Sequence, residues 1–101
     1  MAAVVGVILA GGRSSRMGGR DKALIPLGGR PLAAHVAARL EPQVGAMAVS
    51  ANGDAGRFDF LGLDVVADAD DSFAGPLAGV LAGLRWARAL PVPPRAVVTA
   101  A

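Results

Sequence analysis

Val4-Val-Gly-Val-Ile-Leu9 runs directly into Ala10-Gly-Gly-Arg-Ser-Ser-Arg-Met-Gly-Gly-Arg-Asp-Lys22. The first half is β-branched and aliphatic apart from Gly6, with no polar alternation, and predicts a strand buried on both faces. The second half holds four glycines, three arginines and the only lysine of the chain, Lys22. Glycine lets a backbone turn inward and bring bare N–H groups close to an anion. A buried strand feeding a cationic glycine loop suits a polyphosphate. The plainer alternative is a glycine-rich surface turn with solvated arginines.

Two phosphate fingerprints do not apply. The loop contains neither G-x-G-x-x-G nor G-x-x-x-x-G-K-[ST], which sets aside the usual dinucleotide-binding turn and the Walker-type loop. In the functional reading, Gly11 and Gly12 allow close backbone approach while Arg16 and Lys22 bind a triphosphate. Arginine offers a planar bidentate contact, and lysine a compact charge that can follow a migrating phosphoryl oxygen. Both would counter the negative charge of a bound polyphosphate. Arg13 and Arg20 read as peripheral, Met17 as packing, and Asp21 as orienting the loop.

Outward from the loop, strand and helix alternate. Ala23 to Leu27 reads as a short extended piece closed by the turn Gly28-Gly29. Pro31 stands where a helix starts, Leu32, Val36 and Leu40 recur at four-residue spacing, and Glu41-Pro42 ends it. A second strand is expected over 45–50, a short helix over 55–61 and a third strand over 63–67. Gly75-Pro76 opens a second long helix with Leu77, Val80, Leu81, Leu84 and Ala87 on one face. Arg85 and Arg88 lie off that stripe near its C-terminal end, where cations suit the helix dipole. Pro91 to Pro94 breaks it, and residues 96–101 begin a fourth strand. The expectation is an α/β fold with a parallel sheet between helices. Because the sequence ends inside that fourth strand, the fold is expected to be truncated there.

Composition narrows the function. Hydrophobic residues at 53% exclude a disordered tail and imply a core packed mainly from Ala, Val and Leu, since aromatics are only 4%. The net charge of +2 gives little support to nucleic-acid binding and is ample for one small anionic ligand. With no cysteine and one histidine, disulfides, thiolate metal sites and cysteine nucleophiles are excluded, and zinc is disfavoured. The apolar run from Ala2 to Ala10 is too short to span a bilayer. It has no basic segment before it and no small-x-small cleavage pattern after it, so a cytoplasmic location is expected.

Ligands in open parallel sheets bind beyond the carboxyl ends of the strands. The opening loop, Ser50 to Asn52 and Asp68 all fall on that edge. Asp68 at a strand end reads either as a turn cap or as a ligand group, and Asp70 and Asp71 as solvated turn residues. Gly75 to Gly79 reads as a helix start preset by Pro76. His35 is expected at the surface or in packing, and Trp86 as a core or interface anchor.

The pattern L-A-G-G-x-S-x-R-M-G-x-x-D-K resembles the N-terminal signature of the molybdenum cofactor guanylyltransferases, the MobA family of nucleotidyltransferases. The likeness continues through Pro31-Leu32, Val49-Ser-Ala-Asn52, Asp68 and Gly75-Pro-Leu-Ala-Gly79, and so covers essentially the whole chain. It implies a Rossmann-like three-layer α/β/α nucleotidyltransferase fold, of which residues 1–101 are the N-terminal nucleotide-binding part without the acceptor-binding half. It implies transfer of GMP from GTP to molybdopterin cofactor with release of pyrophosphate, catalysed through Lys22 and Arg16. Nucleotide contacts are implied at Leu9, Ala10, Gly11, Gly12 and Lys22, at Ser50 or Asn52, and at Gly75, Pro76 and Gly79. Asp68 matches the family's nucleotide-contacting aspartate, which would accept from the ring N–H and exocyclic amine of guanine. The family commonly has asparagine in the loop after the second strand, whereas here Ser50 takes one aligned position and Asn52 lies two later. Magnesium is implied too, on an aspartate in a D-x-P context just after the fourth strand, beyond Ala101. Contact with molybdoenzymes or their chaperones is a further implication. A related transferase using CTP or another small phosphate, and a non-catalytic nucleotide-binding fragment, are the alternatives.

Overall fold

Strand β1 (Val4–Leu9) lies in the middle of the sheet, with Val5 and Val7 at 0% exposure, as an uninterrupted apolar run requires. The computed structural model of the chain describes residues 4–10, 16–17, 20–21, 24–52, 55–67, 76–92 and 94–100.

Past β1, strands β2 (Arg16–Met17) and β3 (Arg20–Asp21) pair antiparallel, with Arg16 opposite Asp21 in register. Strands β4 (Pro26–Leu27) and β5 (Arg30–Pro31) form a second small antiparallel pair around Gly28 and Gly29, whose φ values of 62° and 81° suit a two-residue hairpin turn. The extended piece expected over 23–27 is thus described only as Pro26–Leu27.

Helix α1 (Leu32–Leu40) follows at once. Pro31 is its N-cap at φ −56°, one residue earlier than a first-turn proline, and makes no side-chain cap. The Leu32 N–H instead donates to the Ile25 carbonyl at 2.9 Å, satisfying one of the free donors of the first turn. Pro42 confines the chain to a 3₁₀ turn over Glu41–Gln43. Strand β6 (Ala46–Ser50), a 3₁₀ stretch over Ala55–Leu61 and strand β7 (Asp64–Val66) come next. Helix α2 (Pro76–Arg88) then leads to strand β8 (Ala96–Ala100).

The four long strands are all parallel, in the order β7-β6-β1-β8. The chain therefore steps outward from β1 to β6 and β7, then returns to the other side of β1. Right-handed crossovers in opposite directions put their helices on opposite faces. A Cβ on Gly6 would lie 2.6 Å from Leu40 Cδ2 of α1, whereas Val7, facing the other way, meets α2. Ile8, Ala10, Val49 and Ala51 pack with Ala33, Leu40 and the fully buried Phe58 on the α1 side. The result is the three-layer α/β/α arrangement expected.

The inward face of α2 differs from the expectation. Leu77 and Leu84 are 62% and 48% exposed, and Val80 and Leu81 are half-buried. Ala78, Gly79, Ala82, Gly83 and Ala87 are buried instead. Two stripes of the same helical period compete on this helix, and leucine weighs more than alanine or glycine in any hydrophobic reading. Close seating on the β-branched floor of β1 selects the smaller set. Of the expected stripe, only Ala87 is fully buried.

Candidate nucleotide site at the carboxyl edge

The parallel ladder continues one residue beyond the strands. Ala10 N–H donates to the Ser50 carbonyl at 2.8 Å, and Ala51 N–H to the Val66 carbonyl at 2.9 Å. Leu9-Ala10, Ser50 to Asn52 and Val66-Ala67 are thereby held as a stepped edge. Between β1 and β8 the strand order reverses, the position at which doubly wound sheets open a crevice for ligands.

Within this edge the two candidates after β6 are separated by burial. Ser50 is 0% exposed, and its Oγ has no hydrogen-bond partner among the described residues. Asn52 is exposed. Gly79, in the first turns of α2, is buried on the Ser50 side: a Cβ there would lie 2.8 Å from Ser50 Oγ and 3.2 Å from Leu9 Cδ2. Pro76 is the first residue of α2, so the positive end of the helix dipole lies toward the same edge. Leu9 is half-buried and Ala10 is 3% exposed.

Gly11, Gly12, Lys22, Asp68 and Gly75, like Arg13, Asp70 and Asp71, lie outside the described residues. Arg16 is placed by its backbone in β2, opposite Asp21. Two residues stand apart from the edge. His35 Nε2 bonds the Leu27 carbonyl and ties α1 to the hairpin, and Trp86 Nε1 donates to Asp64 Oδ2 at 3.1 Å. Two open grooves, each of about 280 Å³, lie at the amino ends of β8 and β6, against Ala96-Val97 and Ala46-Met47 respectively.

Among the described residues no three His, Asp or Glu side chains come together to hold a metal ion. The described part of the edge gives magnesium no ligand set.

The profile of the MobA-like NTP transferase domain matches residues 6–101. The chain belongs to this family. It is similar to the molybdenum cofactor guanylyltransferase of Mesorhizobium japonicum, with 53% identity over 98 residues, 97% of this chain and 47% of that protein. The enzyme of the same name from Cereibacter sphaeroides is 62% identical over 84 residues, 83% of this chain and 42% of its own. That from Serratia proteamaculans is 54% identical over 84 residues, covering 83% and 43%. The chain spans less than half the length of these relatives.

In this MobA-like domain the carboxyl edge of the parallel sheet brings Leu9, Ser50 and Gly79 together. The packing beneath that edge was the part missed by sequence reasoning. Gly83 sits a turn beyond Gly79 and is closed against Val7. The signal was the four-residue spacing of glycines, with Ala78 and Ala82 beside them, on a helix whose leucines attract attention first.

Proposed function

We propose that residues 1–101 form the nucleotide-binding part of a molybdenum cofactor guanylyltransferase, which moves GMP from GTP to the terminal phosphate of molybdopterin cofactor. The similarity to enzymes of that name, across 97% of this chain in one case, is the observation that carries the reading. The acceptor-binding half of the domain corresponds to the part of those relatives that the similarity does not reach.

The reaction is an in-line substitution at the α-phosphorus. A phosphate oxygen of the acceptor forms the new P–O bond, the α–β bridging bond breaks, and its electron pair leaves on pyrophosphate. No protein nucleophile is required; positioning and charge stabilisation carry the step. Lys22 and Arg16 are assigned to the phosphates, where charge grows as pyrophosphate departs. Gly11 and Gly12 give close backbone approach, and Asp68 reads the N–H and amine of guanine. Of the pair after β6, the exposure of Asn52 favours it for direct contact, with Ser50 beneath. Gly75, Pro76 and Gly79 set the backbone beside the purine. Magnesium, when bound, would supply positive charge at the phosphates.

No helix among the described residues is long and apolar enough to cross a membrane. A cytoplasmic location is part of the proposed reading. Contact with molybdoenzymes or their chaperones belongs to the same reading. Calorimetry of the intact protein with GTP, CTP and ATP, magnesium present, tests it. Preferential heat from GTP is expected; preference for CTP, or no heat from GTP, overturns the assignment.

A further inference from the structure

We propose that Gly83 is a positioning residue for the nucleotide. Having no side chain, it lets α2 lie so close to Val7 that the first turn of the helix is held beside Leu9 and Ser50. The inference rests on the guanine-nucleotide reading above.

A Cβ on Gly83 would lie 2.8 Å from Val7 Cγ2, 3.0 Å from Cγ1 and 3.2 Å from Cβ. Val7 is fully buried in the central strand, and its branched side chain has no flexible end that could yield. The displacement must fall on α2. One turn earlier, Gly79 forms a second seat, 2.8 Å from Ser50 Oγ by the same measure. The two seats rest on neighbouring strands about 6 Å apart along the helix axis, and together set its height and tilt. Lifting the helix at Gly83 therefore lifts or tips the turn at Gly79.

The buried hydroxyl says why height matters. Ser50 Oγ lies under that first turn, 0% exposed and without a partner among the described residues. Buried polar groups normally find a hydrogen bond, in protein, water or ligand. A buried hydroxyl at that edge makes the spacing between β6 and α2 part of the site.

Alanine is the better helix former, so Gly83→Ala separates helix propensity from seating. Calorimetric GTP titration of the intact protein is compared with Gly83→Ala, Leu84→Ala and the double variant Val7→Ala/Gly83→Ala, alongside urea midpoints. Gly83→Ala is expected to weaken GTP binding about tenfold or more with little change in midpoint. The double variant, which makes room for the added methyl, is expected to recover parental affinity to within about threefold. Leu84→Ala, on the outer face, is expected to bind as the parent does. Should Gly83→Ala fail to fold, the double variant carries the test by folding and binding near the parental affinity. Unchanged affinity in Gly83→Ala, or a folded double variant that stays weak, overturns the inference alone. A parent protein that does not bind GTP overturns the nucleotide reading, and this inference with it.

Discussion

Ser50 Oγ and Gly79 are fitted to each other: any Cβ at residue 79 would come within 2.8 Å of the hydroxyl oxygen. The contact joins the end of β6 to the first turns of α2, and buries a polar atom that has no partner among the described residues. An unsatisfied buried hydroxyl costs about 1–3 kcal/mol. Ser50→Ala is therefore expected to leave stability unchanged or raise it by about 1 kcal/mol in urea unfolding. A loss above about 1 kcal/mol would mean that the hydroxyl has a partner in the free protein.

The inward face of α2 has a direct test. Ala82 is 4% exposed and Leu84 48% exposed. Ala82→Leu should destabilise by about 1–3 kcal/mol through overpacking. Leu84→Ala should stay within about 0.5 kcal/mol. Chemical denaturation of both variants checks this, and the reverse ranking would restore the leucine stripe as the buried face.

Trp86 is the only tryptophan, and its indole N–H donates to Asp64 Oδ2. Asp64→Ala should move its fluorescence and cost about 1 kcal/mol or less, because the pair is exposed. An emission spectrum identical to that of the parent would show that the bond is not populated in solution.

Lys22→Ala in the intact enzyme is expected to lower turnover at least about tenfold, roughly 1.4 kcal/mol of transition-state stabilisation. Steady-state rates decide it, and unchanged turnover removes Lys22 from catalysis.

Asp68→Asn keeps the size of the side chain but replaces one acceptor oxygen with a donor. Competition between GTP and ATP should show weakened preference for GTP. Discrimination equal to that of the parent would return Asp68 to a capping role.

Much of the architecture is legible along the chain because it is local. The apolar run ending at Leu9, Gly28-Gly29 in the left-handed region, Pro42 after α1, and Pro76 at the head of α2 each act through their own backbone limits. These settled the strand–helix alternation and the approximate ends of the elements. The glycine-rich stretch with its single lysine carried the family likeness for the same reason, since that signature is written in consecutive residues.

What only the tertiary structure decided depends on contacts between distant residues. Whether Leu84 or Ala82 faces inward is set by the space above Val7, which lies in the first strand, far earlier in the chain. Ser50 rather than Asn52 is buried because α2 closes over one face of β6 and not over the residue two beyond. Periodicity states that a helix has an inner face; steric fit against a rigid, β-branched strand chooses which face that is.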